Sequence, residues 1–160
     1  MTFDTINQQI IETLQRDGGL SISDLAKQLD MTTPPCWRRV NALKKKGILK
    51  QQVWLADPAA LGLHVLVIAT VKLVTHDSHA TAQFKNEVQK IKEIVECYIL
   101  LGERDAMLKI VVPSITYYED LFYKRISQIP GVQEVVSSVI MSEVKHTTSL
   151  PILSIARDTV

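Results

Sequence analysis

The chain has 160 residues, of which 46% are hydrophobic, and it carries a formal net charge of +1. This size and composition suffice for one ordinary core or two small ones, and they exclude a disordered or collagen-like chain. Two cysteines, Cys36 and Cys97, are too few for a disulfide framework. Neither a signal peptide nor a transmembrane run is visible, so we expect a cytoplasmic protein.

The N-terminal third predicts two short helices in succession. Apolar residues recur at helical spacing from Ile6 to Leu14, and Asp4 is a candidate N-cap. The two glycines at positions 18 and 19 are expected to end this helix through left-handed backbone geometry. A second helix is predicted from Ser21, because Ser21–Asp24 has the spacing of a capping box.

A third helix is predicted over Thr33–Lys46, with Thr33 as its cap, Pro34 at its first helical position and Gly47 as its stop. At about 100° per residue, its two faces differ in character. One face is apolar and carries Cys36, Val40 and Leu43. The opposite face carries Pro34, Arg38, Asn41 and Lys45, with Trp37 on one flank. An apolar inner face and a donor-rich outer face are typical of a helix that enters the major groove of DNA.

Positive charge is concentrated in and after this third helix. Residues 31–56 contain six basic residues and no acidic one: Arg38, Arg39, Lys44, Lys45, Lys46 and Lys50. Since the whole chain carries +1, the remainder carries −5. A solvated helix face is the simpler interpretation, but such faces usually alternate Lys or Arg with Glu. The absence of acids favours a nucleic-acid partner.

The rest of the chain predicts mainly β-structure. A strand is expected at 48–55 and a linker from residue 56 to 63. Strands follow at 63–73, 95–101, 106–112 and 132–144, with one helix around Phe84 and another from Ser114 to Ile129. This β-α-β-β-α-β order is the ferredoxin-like arrangement.

The predicted fold class is therefore α+β. Residues 1–55 are predicted to form a winged helix-turn-helix DNA-binding domain, residues 56–63 a linker, and residues 64–160 a ferredoxin-like domain for oligomerisation. Two helices cover only one face of a four-stranded sheet, so a second copy of the chain is the expected cover for the other. We expect an obligate dimer.

The side-chain chemistry of the third helix predicts how DNA is contacted. Arg38 has the bidentate geometry for a guanine edge and Asn41 that for an adenine edge. Phosphate contacts are expected from Lys44, Lys45, Lys46 and Lys50. Four hydroxyl groups are expected either to contact phosphates or only to cap helices. They belong to Ser21, Ser23, Thr32 and Thr33. Trp37 packs either on the sugar-phosphate backbone or on the domain surface. Pro34 and Arg39 complete the predicted DNA-facing set.

Several segments together resemble the Lrp/AsnC, or feast/famine, family of transcription regulators over nearly the full length. The segments are Asp4–Asn7, Ile10–Gly18, Ser23–Ala26, Thr33–Val40 with Leu43 and Gly47-Ile48, Gly102–Asp105, Pro130–Val132 and Glu143–Lys145. The resemblance implies a dimer made through the β-rich domains, often assembled into tetramers or octamers. It also implies that residues 64–160 sense an amino-acid effector, which is held near the Gly-x-x-Asp turn. The tail Lys145–Pro151 is similar to a branch of the family that is associated with cysteine or with leucine- and methionine-like amino acids.

An amino-acid effector needs an anion for its ammonium group and N–H donors for its carboxylate. Asp105 or Glu103 supplies the first, and the backbone around Gly102 the second. The remaining candidates are Tyr98, Ser137 and Ser138. The alternative is a tight turn in which Asp105 bonds backbone and no ligand binds.

No phosphate-binding loop, nucleophile elbow or metal-ligand spacing is visible, so no catalytic residue, metal or cofactor is predicted. A second interpretation keeps the sensing domain but not the DNA. In it, the protein is an oligomeric amino-acid-sensing module that acts through protein contacts.

Overall fold

The computed structural model describes residues 4–75 and 78–152. Contacts divide the chain into two compact units. One unit takes in the described residues up to Leu55 together with those from Lys145 onward, and the other runs from Ala56 to Val144. None of the described helices is long and apolar enough to cross a membrane.

The first unit is built on three helices, α1 (Thr5–Arg16), α2 (Ile22–Gln28) and α3 (Thr33–Lys45). Two predicted N-caps are confirmed. Asp4 accepts a hydrogen bond from the backbone N–H of Asn7 at 2.7 Å, and Ser21 accepts one from Asp24 at 3.1 Å. These bonds satisfy N–H groups that the first turn of a helix leaves unpaired.

One core holds the three helices together. Its fully buried members include Ile10 of α1, Leu25 of α2, and Cys36, Val40 and Leu43 of α3. The buried face of α3 is therefore the one that the sequence predicts. Gly47 ends the helix region with a φ of 69°, a left-handed conformation that glycine adopts without steric cost.

Three local predictions in this unit are wrong. Gly18 and Gly19 do not adopt left-handed geometry; Asp17 caps α1 with an extended backbone and accepts a bond from the N–H of Gly19 at 2.9 Å. Thr33 is the first helical residue of α3, and Thr32 is at the N-cap position. Residues 48–55 form no strand, because no strand of this chain's sheet pairs with them.

The second unit is a four-stranded antiparallel sheet with two helices. Its elements are β1 (Val65–Leu73), α4 (Ser78–Gln89), β2 (Ile94–Ile99), β3 (Ala106–Val112), α5 (Ile115–Leu121), which continues into a π-helical turn (Phe122–Ile126), and β4 (Val132–Val139). The strand order is β2-β3-β1-β4, so the predicted ferredoxin-like fold is confirmed. The last strand is shorter than predicted.

The sheet has one buried and one open face. Side chains alternate across a strand, and every second residue of β1 and β3 is buried. These residues pack against Phe84 of α4 and Tyr118 and Ile126 of the α5 region. The opposite face carries Ile68, Thr70, Met107 and Lys109 of the central strands, and the described helices leave it uncovered.

Candidate nucleic-acid interface and ligand site

The outer face of α3 presents most of the predicted DNA contacts. Arg38, Lys44, Lys45, Lys46 and Lys50 are exposed, as is Pro34, and Asn41 is half-buried. Trp37 is 56% exposed, so much of its surface is open to a partner. Because the apolar face of the helix is buried in the core, these cationic and amide groups point away from it.

Arg39 differs from its neighbours because its guanidinium is already engaged. Its Nη1 lies 2.6 Å from Oδ2 of Asp4 and 3.1 Å from Oδ1 of Asn7. The bond from Arg39 is the largest cause that lowers the pKa of Asp4 below 3.8. Arg39 thus joins α3 to the start of α1. The sequence did not reveal this role because Asn7 and Asp4 lie 32 and 35 residues before Arg39 in the chain.

The four predicted hydroxyls have different surroundings. Ser21 caps α2, and its hydroxyl also donates to Asp24 Oδ2 at 2.7 Å, which is the capping role. Ser23 and Thr33 are exposed in the first turns of α2 and α3. Thr32 stands at the N-cap of α3, also exposed, without a side-chain capping bond.

A cleft of about 390 Å³ lies beside α3. Arg38, Arg39 and Lys46 line it together with Pro35 and with Asn7 of α1. Because Arg39 is engaged by Asp4 and Asn7, Arg38 and Lys46 are the cationic side chains of this depression that are suited to a phosphate.

The predicted ligand turn is anchored to two strands of the sheet. Asp105 is 9% exposed, its Oδ2 accepts from the N–H of Leu73 at 2.8 Å, and its own N–H donates to the carbonyl of Val71. Lys72 donates to the carbonyl of Glu103 at 2.8 Å. These bonds hold the turn against the end of β1 and engage Oδ2 of Asp105, which also lies 3.9 Å from Nζ of Lys72.

A second anchor joins the turn to β4. Arg104 forms a two-pronged ion pair with Glu134, with nitrogen–oxygen distances of 2.8 and 3.1 Å. Lys72, Arg104 and Glu134 were missed from the sequence. Their partners lie about thirty residues away along the chain, and no local pattern marks such a pair.

The other predicted ligand residues are distributed over both faces of the sheet. Ser137 pairs with buried Ala69 and bonds the Tyr118 hydroxyl on the helical side. Ser138 and Tyr98 belong to the open face, where the Tyr98 hydroxyl donates to Glu96 at 2.7 Å; this bond raises the pKa of Tyr98.

Tyr98 and Ser138 lie on opposite edge strands, separated by three strand spacings, or about 14 Å. Within one chain, a small amino acid does not bridge them. Gly102 and Glu103 lie in the turn itself, which begins after β2.

Two matches to known families decide the identity. Residues 3–50 match a winged helix-turn-helix DNA-binding domain, and residues 66–150 match the Lrp/AsnC ligand binding domain. The chain belongs to the Lrp/AsnC family of transcription regulators. Its helix-turn-helix and its α+β domain are therefore the two halves of a DNA-binding regulator.

Individual Lrp/AsnC relatives agree over nearly the whole chain. It is 33% identical over 149 residues to the DNA-binding transcriptional activator DecR of Escherichia coli, covering 93% of this chain and 98% of that protein. It is also 33% identical to the leucine-responsive regulatory protein of Escherichia coli, covering 93% and 91% of the two chains.

Solved structures of this family share the fold. An AsnC family regulator from Agrobacterium tumefaciens aligns with a TM-score of 0.88 at 32% identity, over 93% of this chain and 97% of that one. A regulator from Neisseria meningitidis, solved as a complex with L-Met, aligns with a TM-score of 0.89 at 29% identity, over 94% and 97%.

Proposed function

We propose that this regulator reads a specific DNA sequence with α3 in the major groove and that a small amino acid bound by the C-terminal domain alters its assembly or its DNA binding. The observation that carries the DNA half is the geometry of α3. Its apolar face is buried, and its exposed face carries Arg38 and Lys45 beside half-buried Asn41, with no acidic residue from 31 to 56. Such a face neutralises phosphates and offers donors to base edges.

Within this proposal the side chains divide into three roles. Arg38 contacts a guanine edge and Asn41 an adenine edge. The residues that contact the DNA backbone are Lys44, Lys45, Lys46, Lys50, Ser23, Thr32, Thr33, Pro34 and Trp37. Arg39 positions α3 through Asp4 and Asn7, and Ser21 positions α2 as its cap.

The effector class follows from the relatives and the turn. One neighbour is a complex with L-Met, and one relative is leucine-responsive by name. We infer an effector similar to leucine or methionine, or cysteine, bound at the turn by backbone N–H groups around Gly102 and by Glu103. Tyr98 and Ser138 join this site only if a second copy brings the two sheet edges together.

The open sheet face supports self-association. It leaves apolar residues such as Val136 exposed, and next to the linker Val53, Trp54 and Leu55 are exposed too, Trp54 at 96%. Apolar surface of this kind is removed from water when a partner covers it. We propose that a second copy of the chain covers this exposed apolar surface, which gives a dimer. Dimers then assemble into tetramers or octamers, which act in the cytoplasm. Residues 1–55 remain the proposed DNA-binding region, 56–63 the linker and 64–160 the sensing and assembly region, of which the described residues from Lys145 onward belong to the first compact unit.

Selection of DNA from a random pool distinguishes the proposed DNA-binding regulator from a protein that acts only through protein contacts. The purified full chain is incubated with a pool of randomised duplexes, bound duplexes are recovered, and affinity for the enriched duplex is measured from 50 to 200 mM salt. We expect enrichment of a recurring sequence and an affinity that falls steeply with salt, by about a thousandfold or more if six phosphates are contacted. No binding at the lowest salt favours the protein-contact alternative.

The effector half is tested by thermal unfolding of the full chain with each of the twenty amino acids. A ligand that binds only the native state raises its melting temperature. We expect a rise with L-methionine, L-leucine or L-cysteine and none with a charged amino acid such as L-glutamate. No rise with any amino acid contradicts the effector proposal and leaves the DNA proposal standing.

A further inference from the structure

The chain returns to the DNA-binding unit after its last strand. β4 ends at Val139, and from Lys145 onward the described residues belong to the unit built on α1, α2 and α3. Ile152 is half-buried and packs against the core of that unit. The unit is therefore assembled from both ends of the sequence.

Gln15, in the last turn of α1, makes the principal polar contact with this segment. Its Oε1 accepts from the N–H of Leu150 at 2.7 Å, and its Nε2 donates to the carbonyl of Leu150 at 3.1 Å. One side-chain amide thus satisfies both backbone groups of a residue 135 positions away. This two-bond arrangement reproduces the pairing that a neighbouring strand would offer.

Ser149 adds a third bond at the same place. Its hydroxyl donates to the backbone carbonyl of Gln15 at 3.3 Å, and its N–H donates to the hydroxyl of Thr147 at 3.1 Å. The carbonyl of Gln15 is one of the four that the last turn of a helix leaves without a helical partner. The C-terminal segment therefore caps α1, and Pro151 lowers the entropic cost by restricting the backbone beside the contact.

We propose that residues 147–152 form a strap that docks on the C-terminal end of α1 through Gln15 and couples the sensing domain to α3. The strap continues β4, whose Glu134 holds the ligand turn through Arg104. At its other end it grips α1, whose Asn7, with the adjoining N-cap Asp4, holds Arg39 of α3. Sensing and DNA binding are then linked by this return of the chain as well as by residues 56–63. The coupling rests on the proposed function, whereas the docking does not.

The variant Gln15→Met tests the strap because it keeps the length of the side chain and removes both polar atoms. Its control is Gln9→Met, the same replacement at an exposed position of the same helix. Hydrogen exchange of the full-length protein reports docking at the Leu150 amide. We expect this amide to be protected in the wild type and in Gln9→Met, and to exchange about tenfold faster in Gln15→Met. Ser149→Ala, which removes a different bond of the same contact, is expected to have a smaller effect in the same direction.

Coupling is measured on the same proteins as the ratio of affinities for the selected duplex with and without L-methionine, or whichever amino acid raises the wild-type melting temperature. We expect Gln15→Met to bind the duplex but to show a smaller ratio than Gln9→Met. An unprotected Leu150 amide in the wild type, or unchanged exchange in Gln15→Met, overturns the docking. Lost protection with an unchanged ratio overturns the coupling. A wild type that binds no DNA overturns the proposed function instead, while the exchange result still decides the docking.

Discussion

At the scale of single residues, Arg39 shows why position on a helix does not by itself define a DNA contact. It lies beside Arg38 in the sequence, yet its guanidinium is bonded to Asp4 and Asn7, whereas Arg38 is exposed. The chain therefore uses Arg39 to fix the helix, and we propose that exposed Arg38 contacts the duplex. Substitution of Arg38 is therefore expected to affect DNA binding, and substitution of Arg39 to affect the attachment of α3 to α1.

The contact between Asp4 and Arg39 gives a pH-dependent contribution to stability. Its hydrogen bond lowers the pKa of Asp4 from 3.8, so the contribution is complete above that value and disappears as the pH falls through the lowered one. Asp4→Asn is a matched variant, because Asn also caps helices well. We expect wild type to be more stable than Asp4→Asn in urea unfolding at about pH 6, and the difference to shrink at about pH 2.5. A difference that stays constant over this range contradicts the ion-pair account.

Asp105 was predicted to bind the effector, and the structure gives its carboxylate a structural partner, the N–H of Leu73. Removing a buried acceptor leaves that N–H unsatisfied at a cost of about 1–3 kcal/mol. We therefore expect Asp105→Ala to lower the free energy of unfolding by that amount and Asp105→Asn, which retains an acceptor oxygen, to recover most of it. If Asp105→Ala is as stable as the wild type but loses the thermal shift with the effector, the direct ligand role is correct.

At the scale of elements, the sequence predicted the features that depend on residues close together in the chain. The strand Ala106–Val112 and the buried side of α3 follow from side-chain periodicity, and the caps at Asp4 and Ser21 follow from residue type and spacing. The strand expected at 48–55 failed for a different reason. Its apolar residues are suitable for a strand, but pairing needs a neighbour, and the sheet of this chain supplies none.

Ser137 and Ser138 lie on opposite faces of the sheet, and Ser137 is on the face that α5 contacts. The hydroxyl of Tyr118 bonds Ser137 on the helical side of the sheet, and burial raises the pKa of Tyr118. We expect Tyr118→Phe to lower the free energy of unfolding by about 0.5–1.5 kcal/mol and to leave the melting shift with effector unchanged. Tyr123→Phe, at an exposed position, is the control and is expected to cost little. A lost effector shift in Tyr118→Phe with unchanged stability would instead return Ser137 to the ligand site.

At the scale of the whole molecule, the candidate site could be predicted only in part. Arg38 and the lysines were predicted because they lie in or just after one helix and carry one charge sign. The anchors of the ligand turn, the partners of Arg39 and the strap on Gln15 join residues that only the folded chain brings together. Tyr98 and Ser138 were predicted for one site, but they lie at opposite edges of the sheet.

Self-association is tested on the open sheet face. Val136 is 43% exposed there, whereas Ile115, 61% exposed, starts α5 in the layer on the other side. Burying a charge in an apolar interface is costly. We expect analytical ultracentrifugation to show that Val136→Glu shifts the protein to smaller species and that Ile115→Glu does not. Equal behaviour of both variants and wild type contradicts the assignment of this face to the dimer.

Base reading by α3 is tested by measuring how tightly the wild type and Arg38→Ala bind two duplexes. One is the selected duplex and the other a random duplex of equal length, both at the same salt concentration. A bidentate contact to guanine is worth about 1–3 kcal/mol of discrimination. We expect Arg38→Ala to lose about that much affinity for the selected duplex and clearly less for the random one. Equal losses on the two duplexes would contradict base reading, because Arg38 would then contact phosphate alone.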